Sequence, residues 1–294
     1  GFLRELGHRV SVQVAWNGEP CDLLLALHAR RSHASVVAYR RRFPDQPLIV
    51  TLTGTDLYRD LPASREARHS LETADRIVVL QSQAKLELEK KFRAKTRVVH
   101  QSANPSVRHA PPKNSYRVAV VGHLREEKDP FRAVAALSHL PKDSFAIQLV
   151  QIGDALSPGM ASQARQWMKR EPRYRWLGGR THARALGWIA RSQLLVVSSV
   201  MEGGANVIAE AARIGTPVLA SRVSGNVGML GRNYPGYFRL FDEKGLAKLF
   251  LKAGKDKSFY ERLKTSLVSR RRLFAPVAER RALASVLRQL DARL

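Results

Sequence analysis

The sequence has very few of the residues that mark disulfide-rich, metal-rich or membrane proteins. Its 294 residues include one cysteine, Cys21, which excludes an intrachain disulfide and a cysteine-rich metal site. No stretch approaches the ~18 uninterrupted apolar residues of a membrane-spanning helix. Aromatic residues make up only 7%, and no basic tail or long lysine/arginine block occurs. We therefore expect a globular protein of the reducing cytoplasm with no membrane partner.

Acidic residues are scarce relative to basic ones. The chain has 50 Lys and Arg against 25 Asp and Glu, which gives a formal net charge of +25. Such an excess fits either the phosphates of a nucleic acid or a small anionic substrate, and a solvated arginine-rich surface explains much of it more simply. Because the basic residues are scattered along the whole chain, we favour a small anionic substrate and keep nucleic-acid binding as an alternative.

Short apolar runs rich in Val, Ile and Leu alternate with longer amphipathic segments, and this predicts βαβ units with parallel sheets. The first series of strand-like runs covers residues 8–15, 21–27, 47–53, 75–81 and 96–101. The second series covers residues 116–122, 145–153, 174–179, 194–199, 217–221 and 236–241. The two hydrophobic series predict two doubly wound domains of an α/β protein.

A proline-containing segment, residues 104–115, separates the two series and is the best linker candidate. We therefore predict an amino-terminal domain over residues 1–112, a carboxy-terminal domain over 113–275 and a final amphipathic helix over 276–294. The opening residues resemble the end of a helix that leads into a strand. We expect that the first strand of the amino-terminal domain, and the loop that follows it, are missing.

Glycine and polar residues concentrate where the predicted strands end. Ligands of open parallel sheets bind at the carboxyl ends of strands. Those ends are residues 27–31, 53–56, 122–125 with Lys128, 177–180 and 198–204. This concentration predicts a ligand site at the strand ends.

Gly203 and Gly204 follow the apolar run 194–197 and precede a predicted helix, with Glu202 before them and Glu210 after them. Backbone N–H groups at a helix start bind anions, and glycine lets a phosphate approach closely. The amides of Ala205, Asn206 and Val207 belong to this predicted anion site. Each carboxylate can accept hydrogen bonds from a sugar diol, which predicts that Glu202 binds a hexose and Glu210 a ribose. The simpler alternative is a surface acid at Glu202 and a salt-bridged helix acid at Glu210.

A second group of candidates lies in the loop 121–130, where Arg125 and Lys128 are placed to face a diphosphate and to stabilise a leaving nucleotide. An exposed basic loop is the simpler alternative. Gly178 and Gly179 are candidates to meet a uracil through their amides. Residues 224–226 are candidates to close around the donor.

These motifs resemble the retaining GT-B glycosyltransferases of family 4. Their E-x7-E motif corresponds to Glu202 and Glu210. Their G-R-L-x-x-x-K loop is present in altered form, since Gly122, Leu124 and Lys128 match while His123 replaces the arginine. The phosphate pair is therefore Lys128 with either Arg125 or His123. Their H-G-T-D turn appears as residues 53–56, with Thr53 in place of the histidine.

The resemblance to family 4 implies two Rossmann-like domains that face a cleft, a C-terminal helix that crosses back, and no bound metal. Several longer strings are similar to a narrower family, the selenosugar synthases of selenoneine biosynthesis. These strings are CDLLLALHARRS, LTGTDLYRDL, GHLREEKDPFRAV, SSVMEGGANVIAEAA, PVLASRVSGNVGMLG and YPGYF. The narrower resemblance implies transfer of a hexose, typically N-acetylglucosamine, from a UDP-sugar to selenophosphate, giving a 1-selenosugar and UDP.

The resemblance also implies an acceptor site in the amino-terminal domain. The residues available for acceptor binding are His28, Arg30, Arg31, Thr53 and Thr55. We assign catalytic roles to His28, Arg31, Thr55, Asp56 and Glu202, with Arg30 or Arg31 holding the phosphate end of the acceptor and His28 orienting it. No general base is required because selenophosphate arrives as an anion. Two alternatives stay open, a family 4 hexosyltransferase with a hydroxyl acceptor and a non-catalytic nucleotide- or nucleic-acid-binding protein.

Overall fold

The computed structural model describes residues 1–141 and 146–291, which form two compact units. The first unit contains Gly1–Ser102, Glu202–Gly204 and the chain from Ala275 onward, and the second contains Ala103–Met201 and Ala205–Phe274. Each unit has its own parallel sheet and its own hydrophobic core.

The sheet of the first unit consists of β1 (Leu24–Leu27), β2 (Leu48–Thr51), β3 (Arg76–Val79) and β4 (Thr96–Val98). The strands lie in the order β1-β2-β3-β4, and each neighbouring pair is parallel. All four residues of β2 are buried, as expected for a parallel strand that is covered on both faces. This explains why the strand reads as an uninterrupted apolar run in the sequence.

Helices cover both faces of this sheet. They are α1 (Phe2–Glu5), α2 (His33–Arg42), α3 (Arg65–Thr73), α4 (Ala84–Glu87), α5 (Lys90–Arg93) and α13 (Pro276–Asp291). One core contains Tyr39 of α2 and Leu71 of α3, both fully buried. A separate core on α13 packs Val286 and Leu290 with Ile49 and Val78 of the sheet. The C-terminal helix is therefore an integral layer of the first unit.

The sheet of the second unit consists of β5 (Tyr116–Val121), β6 (Ile147–Ile152), β7 (Tyr174–Trp176), β8 (Leu194–Val197), β9 (Val218–Ser221) and β10 (Tyr237–Phe238). Its strands lie in the order β10-β9-β8-β5-β6-β7, with all neighbours parallel. The chain proceeds from β5 in one direction and returns to place β8 on its other side. This reversal is a topological switch point, where doubly wound sheets bind ligands. The predicted α/β fold with two parallel sheets is confirmed.

The helices of the second unit complete its layers. They are α6 (Arg132–Leu137), α7 (Pro158–Arg170), α8 (His182–Ala190), α9 (Asn206–Ile214), α10 (Ser224–Leu230), α11 (Glu243–Lys255) and α12 (Lys257–Ser269). The predicted helix after Gly204 is α9, which is amphipathic, with Ile208, Ala211 and Ala212 buried and Glu210 partly buried. No helix in the described ranges combines the length and the apolar character needed to cross a bilayer.

Some sequence-based expectations differ from the structure. The predicted strand at residues 8–15 is wrong, since this segment forms no strand and Val12 and Val14 are 86% and 108% exposed. Alternating apolar residues form a strand only where a neighbouring strand supplies backbone partners and a core covers one face. The predicted strand 145–153 begins at Ile147, and residue 145 lies outside the described residues. Residues 292–294 of the predicted last helix also lie outside them.

The segment before β5 belongs to the second unit from Ala103 onward, whereas the sequence analysis assigned residues up to 112 to the amino-terminal domain. Two backbone bonds explain this grouping. His109 N–H donates to the carbonyl of Ile214 at 3.2 Å, and Ala110 N–H donates to that of Ala190 at 2.9 Å.

Candidate active site

In the second unit, the chain that leaves β8 is fixed by hydrogen bonds from neighbouring segments. The Ser198 hydroxyl donates to the carbonyls of Lys128 and Asp129, at 3.1 and 2.8 Å. The Ser221 hydroxyl donates to the Ser199 carbonyl at 2.6 Å. Val200 N–H donates to the Glu127 carbonyl at 2.9 Å. The end of β8 and the loop that follows β5 are thereby held together at the switch point.

Helix α9 begins without a capping side chain. Its N-cap residue is Ala205, whose methyl group cannot accept a hydrogen bond from the first amides of the helix. In the described part of the second unit, α7, α8, α11 and α12 have side-chain caps, whereas α6 and α10 begin without one, as α9 does. The exposed donors of a helix start are satisfied by capping side chains, by water or by a ligand. The start of α9, which contains the predicted positions Asn206 and Val207, therefore suits an anion.

Glu210 is the fifth residue of α9, within the helix as the sequence predicts. Its carboxylate oxygen Oε1 lies 2.8 Å from Nε2 of His182, the first residue of α8. A carboxylate can only accept, so Nε2 carries the proton of this imidazole. The Glu210 side chain is 14% exposed and that of His182 is 73% exposed. His182 was not among the predicted site residues, because no sequence spacing reveals a contact between two different helices.

The loop after β5 carries the next predicted residues. Asp154 N–H donates to Nδ1 of His123 at 3.2 Å, and Leu124 N–H donates to the Asp154 carbonyl at 2.8 Å. Since Nδ1 accepts, the proton of a neutral His123 ring lies on Nε2, which is then a donor. His123 and Arg125 are exposed, whereas Leu124 is fully buried and anchors the loop.

Lys128 ends a short 3-10 turn and is followed by Asp129 in the left-handed region, with a φ of 43°. Arg132 holds this turn from the first residue of α6. Its Nε donates to Asp129 Oδ2 at 2.8 Å, and its Nη1 donates to the Phe241 carbonyl at 3.0 Å and to Glu243 Oε2 at 2.5 Å. The left-handed backbone of Asp129 is thus stabilised by a side chain that sequence analysis did not single out.

Gly178 and Gly179 lie beside Asp154. Gly178 has a φ of +69°, and its carbonyl accepts from Gly153 N–H at 3.0 Å. A Cβ on Gly179 would lie 2.3 Å from Oδ1 of Asp154, so a larger residue here would displace the exposed Asp154 carboxylate. The structure therefore places the predicted uracil-binding glycines next to the segment that orients His123.

In the first unit, His28 follows β1 and is 6% exposed. It is a non-glycine residue in the left-handed region, with a φ of 78°, a conformation that costs free energy and concentrates at functional sites. Arg31 N–H donates to its Nδ1 at 3.2 Å, so the proton of the neutral ring lies on Nε2. That atom faces Thr55 Oγ1 at 3.2 Å. Arg30 and Arg31 follow His28 in the same loop, and both are exposed.

Asp56 is fully buried, and its carboxylate joins the ends of β1 and β2. Oδ2 accepts from Ala29 N–H at 3.0 Å. Oδ1 accepts from the N–H groups of Thr53, Gly54 and Leu57 at 2.8, 2.9 and 3.0 Å, and from the Thr53 hydroxyl at 3.2 Å. The protein itself saturates this carboxylate, which therefore positions the surrounding loops.

Asp60 is a second buried acid that sequence analysis missed. It is 6% exposed and ends a π-helical turn, Asp56–Asp60. Its carboxylate lies 3.6 Å from Nε2 of His28, 3.6 Å from Nη1 of Arg30 and 3.5 Å from Nε of Arg59. The four-residue spacing from Asp56 was an available signal, because it places both acids on one helical face.

The segment Glu202–Gly204 groups with the first unit, and its glycines have a packing role. A Cβ on Gly203 would lie 1.6 Å from the Thr53 carbonyl oxygen, and one on Gly204 would lie 2.6 Å from Cβ of Leu80. The glycine pair was predicted to let a phosphate approach, and in the structure Gly203 also packs closely against the backbone of the turn 53–54. Glu202 is 8% exposed.

The described residues contain no group of three or more His, Cys, Asp or Glu side chains that could hold a metal ion. Residues 224–226 form the start of α10, where the amide of Asn226 donates to Ser221 at 3.0 Å. Because the Ser221 hydroxyl in turn donates to the Ser199 carbonyl, Asn226 helps to fix the chain after β8.

Comparison with solved structures shows related folds. The chain is similar to HepE from Anabaena in complex with UDP and glucose, at 18% identity with a TM-score of 0.74, covering 91% of this chain and 78% of that one. It is also similar to sucrose-phosphate synthase from Thermosynechococcus elongatus, at 20% identity, a TM-score of 0.76 and coverages of 93% and 74%. A third similar structure is the lipopolysaccharide outer core galactosyltransferase WaaB in its apo form, at 16% identity, a TM-score of 0.68 and coverages of 91% and 75%.

At the level of sequence families, residues 101–266 match the family described as "Glycosyl transferases group 1". The match takes in β5 to β10 and all of the second-unit loops described above. Because it extends over more than half of the 294 residues, the chain belongs to the group 1 glycosyltransferases, with a fold of the GT-B type.

Proposed function

We propose that this glycosyltransferase moves a hexose, with N-acetylglucosamine as the first candidate, from a UDP-sugar to selenophosphate. The observation that carries the donor half of the proposal is the uncapped start of α9, with Glu202 before it and Glu210 within the helix. The acceptor half is supported by the loop that carries His28, Arg30 and Arg31, and by the similarity of the sequence to selenosugar synthases.

The donor's diphosphate would bind the amides of Ala205, Asn206 and Val207, where the helix dipole favours negative charge. The His123 Nε2–H group, Arg125 and Lys128 supply further donors and positive charge for the departing UDP. The HepE structure contains UDP and glucose, which supports a nucleotide-sugar for a protein of this fold.

The two glutamates divide the remaining parts of the donor between them. Glu202 accepts hydrogen bonds from hexose hydroxyls, and Glu210 accepts them from the ribose. Replacement of Glu202 by alanine should cripple sugar transfer while UDP binding largely remains. Equal loss of both would contradict this division.

On the acceptor side, Arg30 and Arg31 hold the phosphate end of selenophosphate and the His28 Nε2–H group orients it. Thr53 and Thr55 lie in the loop after β2, where Thr55 Oγ1 is 3.2 Å from Nε2 of His28 and Asp56 fixes the backbone of Thr53. The anionic selenium attacks the anomeric carbon as the bond from that carbon to the UDP oxygen breaks, and UDP leaves with the electron pair. Water then cleaves the phosphorus–selenium bond, which releases phosphate and the 1-selenosugar.

Mass spectrometry of an anaerobic reaction of UDP-N-acetylglucosamine with selenophosphate tests this proposal. We expect UDP and an N-acetylglucosamine selenol, and we expect neither product with the Glu202→Ala variant. Release of UDP only with alcohol or lipid acceptors would overturn the selenophosphate assignment. If His28→Ala and Arg31→Ala both retain full turnover with selenophosphate, the acceptor site is wrong.

One observation favours a second candidate, a hexosyltransferase with a hydroxyl acceptor. The buried Asp60 carboxylate lies 3.6 Å from Nε2 of His28, and a carboxylate held in this way suits the removal of a proton from a hydroxyl group. Turnover with a hydroxyl acceptor that Asp60→Asn lowers strongly, with no reaction of selenophosphate, would establish this alternative.

A further inference from the structure

We infer that His182 is a positioning residue for the donor's ribose, and that through Glu210 it makes the site prefer a ribonucleotide over a 2′-deoxyribonucleotide. The inference rests on the proposed function, because it assigns Glu210 to the ribose. The observation behind it is the 2.8 Å contact between Nε2 of His182 and Oε1 of Glu210.

The contact leaves Glu210 able to bind a diol. Each carboxylate oxygen has two acceptor positions, so the single bond from His182 occupies only part of the capacity of this carboxylate. With a side chain that is 14% exposed, Glu210 has little access to water, and a donor that compensates for this lowers the cost of its charge. The imidazole supplies one donor, and a ribose would supply the others.

The position of Glu210 suits a ribose next to the proposed diphosphate. Glu210 lies four residues beyond Asn206 in α9, about 6 Å along the helix axis at a rise of ~1.5 Å per residue. Side chains on a helix lean toward its N-terminus. The carboxylate is therefore directed back toward the amides at the helix start.

His182 is itself held on a rigid element. It is the first residue of α8, directly after the N-cap Thr181, whose hydroxyl accepts from Arg184 N–H at 3.4 Å. Thr181 also accepts from Ala185 N–H at 3.0 Å through its carbonyl. The imidazole thus reaches Glu210 from a backbone that the helix cap fixes, although 73% of the ring side chain is exposed.

A carboxylate that is fixed in advance binds a ligand more tightly, because fewer rotamers must be frozen on binding. The gain is greatest for a ligand that uses both hydroxyls of the diol. A 2′-deoxyribose offers one donor fewer and depends less on the orientation of the carboxylate. Loss of His182 should therefore weaken the binding of UDP more than that of 2′-deoxy-UDP.

Isothermal titration calorimetry with UDP and 2′-deoxy-UDP tests the inference on the full chain. We expect His182→Ala to raise the Kd for UDP about three- to tenfold, the range of a single hydrogen bond, and to raise that for 2′-deoxy-UDP by less. His182→Gln, which keeps a side-chain N–H donor, should recover most of the preference. His139→Ala, at another exposed histidine of the second unit, is the matched control and should change neither Kd.

A double-mutant cycle separates this role from a purely structural one. In a Glu210→Ala background, the further change His182→Ala should leave the ratio of the two Kd values unchanged. In the otherwise wild-type protein, His182→Ala must change the ratio of the two Kd values. An equal fold-loss of affinity for both nucleotides, or no loss for either, would overturn the inference. Such a result would leave the proposed function intact, provided that wild-type protein binds UDP tightly. Failure of wild-type protein to bind UDP at all overturns the proposed function and this inference with it.

Discussion

His28, after β1 in the first unit, and His123, after β5 in the second, share one device. In each, a backbone N–H donates to Nδ1 at 3.2 Å, from Arg31 in one case and from Asp154 in the other. Each neutral ring therefore presents its Nε2–H group as a donor. In both loops a backbone N–H group thus fixes which nitrogen of the histidine carries the proton.

The surroundings of the two rings differ. His28 is 6% exposed, strained by its positive φ, and faces Thr55 and Asp60. His123 is exposed, and the backbone of Asp154, which donates to its Nδ1, also accepts from Leu124 N–H at 2.8 Å. The first unit therefore provides protein partners for its polar groups, whereas the second leaves donors at a helix start and in a loop open to a ligand. Substitution of Asp56 should accordingly affect stability, and substitution of His123 should affect ligand affinity.

The largest effect that sharpens this contrast is expected at Asp56. Asp56→Asn replaces one acceptor oxygen by an NH2 group that would face a backbone N–H, and it removes a charge that receives several hydrogen bonds. Leaving a buried donor unsatisfied in this way should lower the free energy of unfolding by roughly 3 kcal/mol. Urea denaturation followed by circular dichroism measures it, with Asp45→Asn as an exposed control.

A smaller effect, on affinity alone, is expected at His123. His123→Ala removes the Nε2–H donor and should weaken UDP binding about tenfold, equivalent to ~1.4 kcal/mol. His123→Gln keeps a donor and should remain within about threefold of wild type. Calorimetric titration gives the Kd values, and thermal melts should show unchanged stability. A substantial drop in melting temperature for His123→Ala would break the distinction between the two loops.

The strain at His28 gives a third test. His28→Ala and His28→Gly remove the same imidazole, but only glycine adopts a φ of 78° without a steric cost. The glycine variant should therefore be more stable than the alanine variant by about 1 kcal/mol, while the two have equal turnover. Paired urea titrations compare them. Equal stabilities would mean that the left-handed backbone of this residue is not strained in solution.

The smallest effect concerns stability against pH at His109 in the second unit. Burial lowers the pKa of this imidazole below its ordinary value of 6.5, while its Nε2 contacts the Ser192 carbonyl at 3.0 Å. The unfolded chain then takes up a proton more readily than the folded one, so stability is lost as the pH falls below about 6.5. His109→Gln should flatten that decline relative to wild type. Unfolding free energies measured between pH 7.5 and ~5.5 test the difference in slope.

The sequence predicted the parts of the fold that depend on local pattern. The apolar runs of β2, β5 and β8, and the helix around Glu210, follow from hydrophobic periodicity and flanking glycines. The segment 8–15 has the alternation of a strand, yet it pairs with no strand of the described sheet and its Val12 and Val14 are exposed. Hydrophobic periodicity identifies helices and strands but does not identify the elements that pack or pair with them.

The same limit explains the site residues that the sequence did not reveal. His182 and Arg132 act through contacts with residues on other elements, and no spacing within the chain encodes those contacts. Asp60 had a signal in its spacing from Asp56, but its contact with His28 joins two separate loops. The need for glycine at position 203 was recognised, but the Thr53 carbonyl that would meet its Cβ is distant in the sequence. The predicted assignments of ligand-binding residues stay predictions that the experiments above address.

Arg132 connects two backbone positions in the left-handed region that are not glycine, Asp129 and Phe241. Each would be costly alone, and one guanidinium supports both. If the loop 122–129 were moved into another group 1 glycosyltransferase, its conformation would therefore depend on Arg132, which lies outside the loop. Chimaeras should retain UDP affinity only if the enzyme that supplies the loop also supplies the arginine and its partners near Phe241.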